Sequence, residues 1–117
     1  MIEELNEFKT FNITKSLLQE KIGQNLHKVK VIHPVVINYT DVINALIRFR
    51  NKEISITDLV DWVNVIWFTD LYDYADKYHN SIASVMSELE ELDEEGNELT
   101  LEKIDIYIDA LKNNTEI

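Results

Sequence analysis

Glu88, Glu90, Glu91, Asp93, Glu94 and Glu95 crowd eight consecutive positions, and Glu98 follows three residues later. Carboxylates at this density can hold a hard cation, move protons as an acid–base pair, or attract a basic macromolecule. The cation chemistry has a specific template. Counted from Glu91, the run ELDEEGNELTLE puts Glu91, Asp93 and Glu95 at positions one, three and five of a calcium loop. Gly96 then falls at six and Glu102 at twelve. Two positions depart from that template: the first should be Asp, and the eighth should be apolar but is Glu98. The same run also reads as a helix end, a stop at Gly96 and a new helix capped by Thr100. Acid–base pairing discriminates nothing in a chain with 22 Asp and Glu residues. No metal or cofactor is expected, and the chain is not expected to be an enzyme.

A second acidic set is interleaved with aromatics. Asp70, Asp73 and Asp76 alternate with Tyr72, Tyr74 and Tyr78. Tyrosine is favoured where interfaces concentrate their binding energy, and carboxylates select basic partners. The bland alternative makes Tyr74 and Tyr78 core-edge residues and the aspartates a solvated rim. His27, His33 and His79 show no HExxH spacing and no pairing on one helical turn. Neither of the two glycines belongs to a phosphate-cradling loop. Lys28, Lys30, Arg48, Arg50 and Lys52 make small basic patches without the interleaved aromatics of a nucleic-acid binder.

Charge sharpens this picture. The net charge is −11, but residues 1–52 carry 8 Lys/Arg against 5 Asp/Glu, whereas residues 53–117 carry 3 against 17. The second half therefore holds nearly all the negative field. Such a field repels nucleic acid and anionic membranes and speeds encounter with basic partners, an effect that salt weakens. Charge that merely keeps a small protein soluble is the plainer explanation. There is no cysteine, which excludes disulfides and thiolate metal sites. No run approaches the roughly 18 apolar residues of a membrane span. The acidic opening MIEELNEF is unlike a signal peptide, so a cytoplasmic location is expected.

The elements that must position these acids are helical. At 117 residues the chain suits one domain, large enough to bury about two-thirds of its unfolded surface. Ser55 and Asp58 have capping-box spacing, with Ile54 and Leu59 placed as a hydrophobic staple. Leu59, Trp62, Val63, Ile66 and Trp67 then form one apolar stripe. Leu71, Tyr74 and Tyr78 continue it, so this helix either runs to about residue 78 or breaks near Thr69 and restarts. Before it, a short helix is expected over Ile2–Lys9, then one capped by Asn12 or Thr14 that carries Leu17, Leu18 and Ile22. Lys28 and Lys30 alternate with Val29 and Val31 like a strand, but Pro34 argues against a central strand, leaving 27–39 as an extended crossing or edge hairpin. Asn38 or Thr40 opens a helix with Val42, Ile43, Leu46, Ile47 and Phe49. Asn80 or Ser81 is expected to cap a helix through Ile82, Val85, Met86, Leu89 and Leu92, stopped by Gly96. Thr100 caps the last helix, whose stripe is Leu101, Ile104, Ile108 and Leu111 with Tyr107 at its margin.

The stretch Phe49-Arg50-Asn51-Lys52-Glu53-Ile54-Ser55-Ile56-Thr57-Asp58-Leu59-Val60-Asp61-Trp62 resembles small helical bacterial toxin-immunity proteins of the colicin-like self-protective type. In those proteins too a helix ends in Phe, a short basic link follows, and an Ile-Ser capped helix begins with an acid and a tryptophan. The segments Leu-Glu-Glu-Leu-Asp and Leu-Thr-Leu-Glu-Lys-Ile are similar in style, so the likeness spans about residues 42–111. It implies a cytoplasmic inhibitor that binds a cognate toxin, often a nuclease, and covers its basic substrate site with acids. Interface residues vary widely in that family, so none transfers by motif.

The sequence thus predicts a single, mainly α domain, a bundle of four or five helices with a short extended or β segment at 27–39. Its expected function is neutralisation of a basic partner protein, and a generic helical interaction module, self-associating in one form, is the alternative. On charge and aromatic content the partner surface is expected at Asp70, Tyr72, Asp73, Asp76, Tyr78, Glu88, Glu91, Glu94, Glu95 and Glu98.

Overall fold

The computed structural model describes every residue except Glu95, and Asp93 through its backbone alone. Six helices are present among the described residues: α1 (Ile2–Lys9), α2 (Lys15–Ile22), α3 (Tyr39–Arg50), α4 (Ile56–Phe68), α5 (His79–Glu90) and α6 (Leu101–Asn113). Two three-residue strands, β1 (Val35–Ile37) and β2 (Tyr72–Tyr74), pair in parallel. The chain is mainly α with a short β segment, as the sequence predicts.

Local chemistry sets most helix starts. The Thr14 hydroxyl accepts from the Leu17 amide and opens α2. Asn38 and Asp41 form the capping box of α3, with the Asp41 carboxylate 2.8 Å from the Asn38 amide. Ser55 and Asp58 form that of α4, their reciprocal bonds 3.1 and 3.0 Å long. Thr100 accepts from Lys103 at 3.2 Å and opens α6. Apolar faces then meet in one core, to which all six helices and both strands contribute. Leu59, Trp62, Val63 and Ile66 bury the predicted stripe of α4, and Ile82, Val85, Met86 and Leu89 that of α5.

One open alternative is decided and four expectations are corrected. Of its two expected courses α4 takes the break near Thr69: the helix stops at Phe68, and Tyr72–Tyr74 leave it to pair with Val35–Ile37. Backbone pairing won over side-chain periodicity, with Val35 donating to the Leu71 carbonyl and Ala75 to that of Ile37. Lys28–Val31 is no strand, because Leu26–Lys28 form a 3-10 turn and pairing begins only after Pro34. Neither Asn80 nor Ser81 caps α5. A 3-10 turn at Asp76–Tyr78 feeds straight into it, and Ser81 is buried, its hydroxyl donating to the Tyr78 carbonyl at 3.0 Å and facing the Asn114 Oδ1, also at 3.0 Å. Gly96 does not stop that helix either: α5 ends at Glu90, a 3-10 turn follows at Glu91–Asp93, and Gly96 lies beyond it at φ 88°. On the stripes, Leu101 of α6 is 66% exposed, because it occupies the first helical position and overhangs the core.

Two aromatic side chains tie the N-terminal helix to the middle of the chain. Trp62, fully buried, donates from its indole to the Lys9 carbonyl at 3.1 Å. The buried Tyr72 hydroxyl donates to the Leu5 carbonyl at 2.6 Å. Trp62→Ala is expected to lower unfolding free energy by about 3–5 kcal/mol, and Tyr72→Phe by about 1–2 kcal/mol, in urea denaturation. Burial raises the Tyr72 phenol well above its ordinary 10 and pushes Tyr74 up to about 12. The folded state keeps these protons after the unfolded chain has lost them. Their contribution is therefore complete below pH 10 and lost as pH climbs from 10 through 12, a slope that Tyr72→Phe flattens.

Candidate partner-binding surface

α5 divides the predicted acids into two groups. Its 12 residues rise about 18 Å from end to end. Asp70, Asp73 and Asp76 precede its N-terminus, whereas Glu88, Glu91, Glu94 and Glu98 gather at and beyond its C-terminus. All seven are exposed; Glu95 lies outside the described residues.

In the first group cations dilute the charge. The Asp70 carboxylate sits 3.1 Å from the Lys30 ammonium. Lys77 lies between Asp76 and Tyr78 in sequence, with its ammonium 5.7 Å from the Tyr78 ring. Asp73, opposite Val36 in the strand register, makes no ion pair among the described residues. The tyrosines do not behave alike. Tyr72 is not available to a partner, a correction to the expected surface: its ring is in the core and its hydroxyl is committed to Leu5. Strand alternation explains this, since Tyr72 and Asp73 point to opposite faces. Tyr78 is half-buried and stacked on Tyr39 with ring centres 4.2 Å apart.

The second group is different. Residues 88–109 contain ten acids and a single cation, Lys103. Only Glu88 and Glu90 belong to α5 itself; Glu91 begins the 3-10 turn, and the chain then leaves the helix. Amide donors close the turn at Glu91, and a lysine meets the chain beyond it. The Glu91 carbonyl accepts from the Asn97 side chain at 2.7 Å and from the Glu94 amide at 3.0 Å. Lys103 donates to the Glu98 carbonyl at 3.1 Å. Glu102, Asp105 and Asp109 of the neighbouring α6 are also exposed and extend the surface. Of these three, Asp105 has a described ion pair, with Arg50 at 3.8 Å. Tyr107 of α6 registers the local field: its phenol is raised first by burial, then by the charges of Glu88 and Glu91.

The Glu91–Glu102 run follows its non-calcium alternative at one end, because Thr100 caps α6 and Glu102 stands in its first turn. Among the described residues no three His, Asp or Glu side chains gather as metal ligands would. No helix of the described residues is long and apolar enough to cross a membrane. A cleft of about 730 Å³ lies between α2 and α4 and is lined mainly by amides and apolar groups, with Lys15, His27 and Glu90 at its sides. His27 is engaged there, its Nδ1 2.9 Å from the Phe68 carbonyl.

At the end of α4, sequence reasoning placed Trp67 on the buried stripe, which the structure corrects, and passed over Phe68. Trp67 is 37% exposed and Phe68 50% exposed. A helical wheel contains the signal: at 100° per residue Trp67 falls about 80° from Leu59, at the stripe's margin, and Phe68 about 180° away. It also missed Glu102, Asp105 and Asp109, whose spacing on α6 is that of an exposed face.

Comparison with protein-family models, curated proteins and solved structures found no match for the chain. Changing Glu88 and Glu91 together to glutamine should lower the Tyr107 phenol without restoring its ordinary value, because burial remains; ultraviolet titration of the tyrosines in a variant keeping only Tyr107 beside Tyr72 and Tyr74 measures it.

Proposed function

We propose that this protein is a non-catalytic inhibitor that neutralises a basic partner protein, most concretely a cognate toxin, acting inside the cell. The observation that carries this is the uncompensated acidic surface at the α5–α6 end, where Glu88, Glu91, Glu94, Glu98, Glu102 and Asp109 are exposed and make no described ion pair. Carboxylates spread along one end of a small rigid body offer a basic substrate site what the phosphates of a nucleic acid offer: negative charge at close spacing. A nuclease is therefore the toxin class that this surface suits best, and covering its active site is the simplest mode of inhibition. The resemblance of residues 42–111 to small helical immunity proteins supports the same reading.

A physical cost gives it further support. Like charges three or four residues apart on a helix destabilise it by a few tenths of a kcal/mol per pair, and acids near a helix C-terminus oppose the macrodipole. A partner with complementary charge relieves both penalties on binding. The second reading, a self-associating helical module, draws on Leu101 and Ile106, two exposed apolar side chains of α6. Salt separates the two, since charge-driven association weakens as ionic strength rises while apolar self-association does not.

Co-expression with the product of the gene immediately upstream is the direct test. Rescue from a lethal product, with a complex isolable at low salt, is the expected result. Reversing Glu91, Glu94 and Glu98 together to lysine should weaken that complex by about a hundredfold or more and abolish rescue, while the melting temperature holds or rises. A harmless product that does not bind removes the toxin reading, and an unaffected triple variant removes this surface.

A further inference from the structure

The acids before α5 include one whose surroundings differ from the rest. Asp73 stands on the exposed face of β2 and, unlike Asp70, has no described cation beside it. It shares the rim of a shallow notch of about 170 Å³ with Trp67 and Thr69 from the end of α4, Tyr74 of β2 and His79 of α5. Small-molecule pockets run to about 300–1,000 Å³, so this notch has room for one side-chain head group and little more. Its walls are tied to their neighbours. Tyr74 packs against His79 edge to face at 5.5 Å, and the Thr69 hydroxyl is committed at once to the Val65 carbonyl at 2.6 Å and the Leu71 amide at 3.3 Å.

From these residues we infer that the notch is a receptor for one arginine side chain of the basic partner. This rests on the reading of the protein as a binder of basic proteins and adds which cation it selects and where. Asp73 supplies a carboxylate to the guanidinium, and the exposed indole of Trp67 supplies aromatic surface. A guanidinium suits that combination better than an ammonium: it is planar, weakly hydrated, and able to stack on a ring while donating in its own plane. A lysine would keep the Coulomb attraction and lose the stacking. Trp67 also fits this role as an anchor, since tryptophan pairs large contact area with few rotatable bonds. Its indole is the only one with solvent access, because Trp62 is fully buried.

Pentaarginine and pentalysine carry equal charge, so the full-length protein titrated with each at constant ionic strength separates stacking from general attraction. The expected result is binding of pentaarginine about fivefold tighter, with the Trp67 emission changing on saturation. Trp67→Leu should bring the ratio close to one while leaving pentalysine affinity within about twofold, and Asp73→Asn should weaken the binding of both peptides, that of pentaarginine by more. Asp73 has no described partner to lose, so its variant keeps the test valid even where Trp67→Leu perturbs folding. Equal, salt-sensitive binding of both peptides to the unaltered protein overturns the notch and leaves the acidic-surface reading standing. Binding of neither peptide overturns both.

Discussion

The last turn of α1 has four carbonyls without helical partners, and satisfying them shapes much of the molecule. Three are met locally: Asn6 by the Thr10 amide at 3.3 Å, Glu7 by the Asn12 amide at 2.8 Å, and Phe8 by the Phe11 amide at 3.0 Å. The fourth, Lys9, accepts from the Trp62 indole, 53 residues away. Phe11 takes a left-handed backbone, φ 64°, to close this turn, which costs a residue with a side chain about 1–2 kcal/mol. Its ring stacks on Trp62 at 5.3 Å, so the strained residue and the distant indole hold each other in place. Lys9 extends the same junction, its ammonium 3.8 Å from Asp41 and 3.4 Å from the Val36 carbonyl.

That junction fixes where β2 can lie. Tyr72 reaches Leu5 of α1 with its hydroxyl, and its backbone pairs with Val35 beside the same helix. Parallel pairing needs a long connection between the strands, and here α3 and α4 provide it. Once Tyr72–Tyr74 are committed to β1, α4 must end four residues earlier, and its last turn, with Trp67 and Phe68, is left without cover. The aromatic and acidic notch beside Asp73 is thus a consequence of how the strand is placed. Its parts come from α4, β2 and α5, three elements whose meeting depends on a sheet two strands wide.

This explains which features were legible beforehand. Ser55 with Asp58, Thr14 and Thr100 act on amides two or three residues away, so spacing alone reveals them. The stripes of α4 and α5 are equally local, and their central residues are buried as expected. The end of α4 is not local. Leu71, Tyr74 and Tyr78 continue its periodicity, and only Val35–Ile37, more than thirty residues upstream, diverts them. Ser81 is hidden for the same reason: as a small polar residue near a helix start it resembles a cap, but Asn114 of the C-terminal turn draws it inward. Charge followed a middle course. The sequence shows that the acids are many; the structure shows that Lys30 answers Asp70 and Arg50 answers Asp105, while Glu88, Glu91, Glu94, Glu98, Glu102 and Asp109 have no described ion pair.

The acids at that end are permitted by the core and contribute nothing to it. Ile82, Val85, Met86 and Leu89 are fully buried on one side of α5, each worth about 1.5–3 kcal/mol in burial, whereas a like-charge helical pair costs only a few tenths. A helix so anchored can carry Glu88 and Glu90 toward its negative pole without unwinding. The chain then departs at Glu91, before a further helical turn would have stacked more acids against the macrodipole. Amide donors from Asn97 and Glu94 close the 3-10 turn that follows the helix, at a place where a lysine or arginine can also serve. Neutral donors at that position leave the carboxylates of Glu88, Glu91 and Glu94 without a described ion pair, while the Lys103 ammonium meets a carbonyl, that of Glu98. Local stability alone favours a cation there; a surface of the proposed kind, one that meets a basic partner, favours its absence.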